Sequence, residues 1–422
     1  MAHSESRRGR SDVIVIGGGV VGLACAWYLL RAGRSVRLIE QRRIGNGSSF
    51  GNSGLITPSM AAPLPAPGVL KKLPRWLLDK RSPLYIKPRI DLQFLDWARR
   101  FAGFCNEAAV LHAMRARYAL LESSRRLFDE LIEAEQFECD WETTGLYVVY
   151  RAEEDMREGD AMDPRLEDLG ISLRHVAAAE LLAEEPALRD DVIGARFFAG
   201  DARLRPDRLL AEWLSRVVAR GAVIEEGCEL LGIVANGDRI ASLSTSAGEM
   251  SADHYVLATG AWSPRLGRLL GLRMPIQAGK GYSLTMRRPE RCPRHSLILK
   301  ERLVSVTPWA SGFRLGGTME FAGLDRTLNR TRIDVILESA RAYLTDPLAD
   351  REVQYWYGWR PMTPDGLPLI GRSYRHRNML VAAGHNMLGV SMSPGTGRLI
   401  AELVTRTEPH VDPAPYALER FR

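Results

Sequence analysis

The stretch VIVIGGGVVGLACAWYLL, residues 13–30, carries no charge over 18 residues, about the length of apolar chain that crosses a bilayer. Three glycines interrupt it. Gly17, Gly18 and Gly19 would each weaken a helix interior by roughly 1 kcal/mol. A secretory signal fits no better. Arg7, Arg8 and Arg10 resemble a basic leader, but no small-residue cleavage site follows and Arg31 opens another patterned segment. A third arrangement suits the residues. The β-branched run 13–16 is a short buried parallel strand. Gly17-x-Gly19-x-x-Gly22 makes a tight turn, 23–30 continue as a helix, and Gly33 stops it. SVRLIE, 35–40, is then a second strand that ends on Glu40.

The chemistry follows from that geometry. Gly17 permits the sharp turn, Gly19 lets the backbone approach a pyrophosphate, and Gly22 lets the helix pack on the strand. The phosphates sit at the positive helix N-terminus. Glu40, 18 residues beyond Gly22, accepts hydrogen bonds from ribose hydroxyls. The plainer alternative is a glycine turn in an ordinary α/β protein. The fingerprint occurs once, which points to a single dinucleotide.

The 422 residues support roughly two domains with a sizeable core. Apolar residues make up 45% and charged residues 26%, which excludes a disordered or fibrous chain. A net charge of +6 is mildly basic and compatible with anionic substrates or an anionic membrane surface. No nucleic-acid partner is expected. Cys25, Cys105, Cys139, Cys228 and Cys292 are scattered, odd in number and never in CxxC spacing. That argues against a disulfide framework or a zinc site and for a reducing, cytoplasmic compartment. The 8 histidines form no metal-ligand pattern, so no metal is expected.

Residues 58–67 form a proline-rich connector that closes the first nucleotide-binding piece. Residues 108–132 are helical, with Tyr118, Leu121, Phe128 and Ile132 on one face. GLYVVY (145–150) is a strand and VSVTPWASGFRLGGTMEF (304–321) a hairpin. SADHYVLATGAW (251–262) is a buried strand ending in small residues, which suits close approach of backbone to a cofactor. GNGSSFGNSGLITP (45–58) is a loop of small residues able to wrap a phosphate or a flavin ring with backbone donors, or else a mobile surface loop. In GWRPMTPDGLPLIG (358–371), Asp365-Gly366 marks a turn and Arg360 precedes a proline at a strand end. VAAGHNMLGVSMSPGTGRLIAEL (381–403) reads as strand, loop and a helix opening near Gly395-Thr396-Gly397, a second place for negative charge.

These pieces, in this order and over nearly the whole chain, resemble the FAD-dependent D-amino-acid oxidase superfamily. They are most similar to its bacterial D-amino acid dehydrogenase branch. VIVIGGGVVGLACAWYL, GSSFGNSGLI, VLATGAW, GGTMEFAG, GWRPMTPDGLPLIG and the glycine-rich end carry the likeness, with APGVLKKLPRWLLDKRSPLYIKPRI (66–90) beside them. The resemblance implies an α/β fold. A Rossmann-like FAD-binding domain (1–60, 201–270 and 355–422) is interleaved with an α+β substrate domain on a mixed sheet (61–200 and 271–354). It implies oxidation of a C–N bond beside a carboxylate, with hydride passing from the α-carbon to the flavin and the imine hydrolysing to a keto acid.

Binding residues carry over by position. Gly17, Gly19, Val20, Val21 and Gly22 hold the pyrophosphate, with Glu40 and Gln41 at the ribose. Ser48, Ser49, Asn52, Ser53, Gly54 and Leu55 lie by the phosphates and the isoalloxazine. The backbone of Leu230, in CELLGI, meets the adenine. Thr259, Gly260 and Trp262 come from the strand ending in small residues. Gly389, Val390, Ser391, Met392 and Thr396 border the pyrimidine edge of the flavin.

Arg360 is the candidate clamp for a substrate carboxylate, because a guanidinium fork matches it bidentately; the alternative is a surface ion pair. Tyr282, in GKGYSLT, closes the pocket or donates its hydroxyl. His385 is a candidate acid–base group or a structural hydrogen bonder. No general base is required if the substrate amine arrives neutral. Related sarcosine oxidases hold flavin through a cysteine near the motif ending in TPDG, and RPMTPDG has none, so FAD is noncovalent. Those oxidases also carry a lysine by the flavin where this chain has Arg314. Related glycine oxidases have a second arginine where this chain has Trp309, which makes the pocket more apolar.

The function expected is oxidative deamination of a D-amino acid or cyclic imino acid, with electrons passed to a quinone or other carrier. The alternatives are an oxygen-using oxidase of glycine, sarcosine or imino acids, a flavoprotein subunit of a larger complex, and an NAD(P)-binding protein using Arg42 and Arg43. Residues 68–89 hold seven basic residues against Asp79, interleaved with Leu70, Leu73, Trp76, Leu77, Leu78, Tyr85 and Ile86. They suit a peripheral contact at the inner face of the cytoplasmic membrane, or else a solvated loop over the substrate domain. Acid precipitation of the yellow protein is expected to release FAD into the supernatant; flavin retained in the pellet would disprove noncovalent binding.

Overall fold

The alternation in residues 13–16 puts a side chain on each face of a strand in turn, and both faces are covered. In the computed structural model, which describes residues 11–348 and 352–422, Val13 and Val15 join one core while Ile14 and Ile16 join another. Arg7, Arg8 and Arg10 lie outside the described residues. The strand Ser11–Ile16 is central in a six-stranded sheet of order Leu369–Arg372, Met379–Ala383, Ala252–Leu257, Ser11–Ile16, Val36–Glu40 and Val223–Glu226. All neighbours are parallel except the first pair.

Helices Val20–Arg31, Glu107–Glu135, Pro206–Ala219 and Ser393–Thr405 cover one face, with Trp27, Phe128, Trp213 and Leu399 in their shared core. The other face is closed by a three-stranded antiparallel sheet, Leu230–Asn236, Arg239–Thr245 and Gly248–Met250. This is the α/β, Rossmann-like half of the molecule.

The second half is a nine-stranded mixed sheet. Its long strands Gln277–Met286, Val304–Trp309 and Gly312–Phe321 are antiparallel, whereas Ser296–Leu299 runs parallel to Leu146–Tyr150. Val304 and Val306 point to the helix Arg330–Tyr343 and pack with Leu284, Phe313, Ile333 and Ile336. Ser305 and Thr307, one position out of phase, look the other way. The sheet therefore has one apolar face under a helix and one polar face turned toward the 48–54 loop, where Ser53 Oγ meets Ser305 Oγ at 2.5 Å.

Two sequence expectations differ from the structure. The cut at 355 falls at the start of the strand Gln354–Met362, which pairs antiparallel with Gln277–Met286 at the edge of the nine-stranded sheet. The helix Glu107–Glu135, expected in the substrate piece, packs in the helical layer of the six-stranded sheet. The proline-rich connector after Thr57 is ordered at its start. Pro58–Ala61 forms a 3-10 turn, and Ser59 N and Oγ donate to the buried Asp201 carboxylate. No helix among the described residues is long and apolar enough to cross a membrane.

Candidate active site

The turn after Ile16 rests on two approaches that leave no room for a side chain. A Cβ on Gly17, whose φ is +108°, would stand 2.6 Å from Ala258 O, and one on Gly22 would stand 1.9 Å from Gly17 O. Gly19 differs, because the atom nearest its Cβ position is Ser49 Oγ at 3.5 Å. The chain itself needs glycine at 17 and 22, while the space over Gly19 is open to a ligand. Ser49 Oγ accepts from Val20 N at 3.1 Å, the first helical N–H. Glu40 closes its strand with one oxygen accepting from Gly18 N at 2.9 Å and the other from Arg42 N at 3.0 Å. Glu40 itself lines the cleft.

The cleft runs between the two sheets. Gly17, Gly19, Val20, Val21, Glu40 and Gln41 line it, as do Ser48, Ser49 and Asn52 of the loop and Leu230 of the small sheet. Thr259, Gly260, Trp262, Gly389, Val390, His385 and Arg360 complete the predicted residues on its wall. Gly22 is buried in the helix–strand contact instead, consistent with a packing role. Ser53, Gly54 and Leu55 do not line the cleft. Gly54 presses on Leu204 O, and Leu55 pairs with Arg203.

The helix expected to open near Gly395 opens earlier, as Ser393–Thr405. A Cβ at Gly395 would stand 2.6 Å from Ser124 Oγ, and one at Gly397 would stand 2.6 Å from Ala24 C and O. Both glycines serve helix–helix packing rather than an anion. Gly395 N donates to Ser124 Oγ at 3.1 Å. Of the predicted pyrimidine-edge residues, Ser391 accepts from Thr57 N at 3.1 Å and Met392 lies in the core. Thr396 Oγ1 bonds His385 Nε2 at 2.9 Å. Only Gly389 and Val390, on the turn ahead of the helix, reach the cleft.

Arg360 lies half-buried on the cleft wall, its guanidinium over Gly281 where any side chain would collide with it. Nη1 donates to Thr318 O at 2.7 Å, and no carboxylate pairs with it among the described residues. Burial pushes its pKa down to about 10. A desolvated guanidinium without an anion is costly, and a bound carboxylate would satisfy it. Burial likewise pushes His385 down to about 3, so its ring is neutral at physiological pH.

Two predicted residues stand elsewhere. Tyr282 is on the apolar face of its strand, opposite to Gly281 and Arg360, in the core under Arg330–Tyr343. Its hydroxyl donates to Glu320 Oε2 at 2.8 Å. Trp309 is fully buried beneath Arg314, which lies 4.8 Å from its ring centroid. Neither lines the cleft: Tyr282 faces the core under the helix, and Trp309, on the same strand face as Ser305 and Thr307, is covered by Arg314.

The structure adds residues that sequence reasoning missed. Tyr357 and Trp359 line the cleft, and Trp359 meets Trp262 edge-on with centroids 5.4 Å apart. Asn386, at φ 53°, accepts from Thr363 N at 3.0 Å and donates to Gly366 O and Gly384 O, both at 3.0 Å. It locks the TPDG loop to the GHN loop. Asparagine after Gly-His, a residue tolerant of positive φ, was the available signal. Open space over Gly19, the carboxylate at the strand end and an unneutralised guanidinium at the far wall together fit FAD with a carboxylate-bearing substrate beside it.

A family model described as FAD-dependent oxidoreductase (DAO) matches residues 12–403. A D-amino acid dehydrogenase of Granulibacter bethesdensis is 31% identical over 97% of this chain and 99% of its own. Another from Paramagnetospirillum magneticum is 34% identical over 97% of this chain and 98% of its own. Among solved structures, a glycine oxidase from Geobacillus kaustophilus superposes with a TM-score of 0.79 at 25% identity, covering 97% of this chain and 98% of the other.

The two classes of glycine predict different failures. Gly22→Ala forces backbone apart and is expected to destabilise the apoprotein by roughly 1–3 kcal/mol or more. Gly19→Ala is expected to melt like the wild-type apoprotein yet lose FAD. Full FAD binding by Gly19→Ala, measured by titration, would remove the pyrophosphate from this turn.

Proposed function

Because the chain belongs to the DAO family of FAD-dependent oxidoreductases, we propose that it deaminates D-amino acids or cyclic imino acids oxidatively and passes the electrons to a quinone or other carrier. FAD supplies the acceptor for the hydride that leaves the α-carbon. The chain binds, orients and excludes water. The Gly17–Gly22 turn and helix N-terminus cradle the pyrophosphate, and Glu40 takes the ribose. The six-stranded sheet holds the cofactor and the nine-stranded sheet presents the substrate, with the division between them falling after Met362.

The observation that carries this reading is Arg360. It is a cleft-wall guanidinium held by one carbonyl and lacking an anion among the described residues. A substrate carboxylate would complete its fork and fix the α-carbon over the cofactor. His385 is neutral and bonded to Thr396, so it brings no charge to compete with the substrate amine. An amine that arrives neutral drives hydride departure with its own lone pair, and no side-chain base is invoked. The D-amino acid dehydrogenase names of the relatives support this substrate class. The oxygen-using alternative draws on the glycine oxidase neighbour.

A membrane-borne acceptor would suit one surface. Leu70, Leu73, Leu77, Leu78, Ile90, Leu92 and Leu95 are exposed along one segment, with Leu78 at 83% and Ile90 at 98%. The basic character expected of residues 68–89 is partly cancelled. Lys72, Arg75, Arg81, Lys87 and Arg89 face Glu158, Asp79, Glu338, Asp325 and Asp91. Tyr85 is buried in a strand against Met319–Phe321 rather than offered to lipid. Leucines rather than lysines would carry such a contact.

Removing a charge-assisted pair to a buried carboxylate costs roughly 2–5 kcal/mol. Arg360→Ala is therefore expected to lose most amino acid turnover while binding FAD normally, and to treat the matching amine without a carboxylate much as wild type does. Equal losses on both substrates would make Arg360 structural. For the acceptor, quinone turnover is expected to exceed peroxide formation, and flotation with anionic vesicles should persist at high salt. Fast peroxide production without vesicle binding would favour the oxidase reading.

A further inference from the structure

The 48–54 loop is tied at three serines to different parts of the protein. Ser48 Oγ donates to Trp359 O at 2.5 Å, Ser49 Oγ accepts from Val20 N at 3.1 Å, and Ser53 Oγ shares a hydrogen bond with Ser305 Oγ. Between these ties the carbonyls of Phe50 and Asn52 both turn toward the nine-stranded sheet. One nitrogen serves both. Arg314 Nη1 donates to Phe50 O at 3.1 Å and to Asn52 O at 2.5 Å.

Arg314 is 1% exposed. Nε donates to Thr285 Oγ1 at 2.8 Å, the guanidinium stacks on Trp309, and the nearest carboxylate, on Asp207, is 4.0 Å away. A buried guanidinium ordinarily takes a carboxylate fork. This one is committed to backbone carbonyls of the loop whose Ser48, Ser49 and Asn52 line the cleft. Because a trans peptide plane sets C=O and N–H in opposite directions, holding the two carbonyls on the sheet side sends the N–H groups of Gly51 and Ser53 away from it.

We propose that Arg314 is a positioning residue that fixes the height and peptide orientation of the 48–54 loop against the bound flavin. The role explains why an arginine sits there without reaching the cleft. A lysine ammonium has no planar fork to hold nitrogens toward Thr285, the loop and Trp309 together. The inference rests on the placement of FAD proposed above.

The test uses the holoenzyme, with FAD affinity of the deflavinated protein, the visible flavin spectrum and the kcat–KM split as readouts. For Arg314→Met, loss of one charge-assisted clamp should weaken FAD by roughly ten- to hundredfold. The flavin band should shift and kcat should fall, with KM, set by Arg360, changing little. Arg314→Lys should fall between. Thr285→Val, which removes only the acceptor for Nε, should act in the same direction more weakly and serves if Arg314→Met does not fold. Wild-type FAD affinity, spectrum and kcat in Arg314→Met, or in Thr285→Val where it must serve, would overturn the proposal. If Gly19→Ala loses FAD while Arg314→Met behaves as wild type, the cofactor placement stands and only this role of Arg314 falls. FAD retained by Gly19→Ala overturns the placement itself.

Discussion

The packing of the helix Val20–Arg31 on the strand Ser11–Ile16 at Gly17 and Gly22 is the contact from which the site is built. A Cβ at Gly22 would lie 1.9 Å from Gly17 O, so no other residue allows the helix to start where it does. That start brings the first helical N–H groups to the mouth of the cleft, where they are available to an anion. It also brings Gly18 N within reach of Glu40 and Val20 N within reach of Ser49. The second strand and the 48–54 loop are thereby referred to the same turn.

Several arginines then join loops to this frame through backbone carbonyls, Arg420 together with the Asp365 carboxylate at 2.7 Å. Arg117 donates to Met60 O and Gly366 O, and Arg420 to Leu367 O and Pro368 O. Arg332 donates to Ser82 O and Pro83 O, and Arg314 to Phe50 O and Asn52 O. Each satisfies carbonyls in irregular segments that have no ladder to join. A planar fork with five donors suits this better than any other side chain. Arg360 has the same chemistry but only one carbonyl, a shortfall that the proposed substrate carboxylate would fill.

The polar face of the nine-stranded sheet gives this stitching its place. Ser283, Ser305, Thr307 and Arg314 are buried yet project from the face opposite to the helix-covered core. The apolar partners Leu284, Val304, Val306 and Leu315 alternate with them. One sheet thus packs a domain core on one side and supports the cofactor loop on the other.

Local chemistry in the sequence determined much of this. The run VIVIGGG, the spacing to Gly22 and the acid at Glu40 specify a strand, a turn, a helix and a second strand, because each depends on sterics within a few residues. The hairpin 304–321 and the long helix were legible for the same reason. What only the tertiary structure decided was orientation. Tyr282 alternates with Gly281 in plain view, but a period of two leaves open which face meets the cleft, and nothing near Trp309 in the sequence shows that Arg314 covers it. Helix Arg330–Tyr343, from another part of the chain, covers the face that takes Tyr282. Gly395 and Gly397 likewise suit an anion or a close helix crossing equally well by themselves. Ser124 and Ala24, brought from distant segments, made them packing residues.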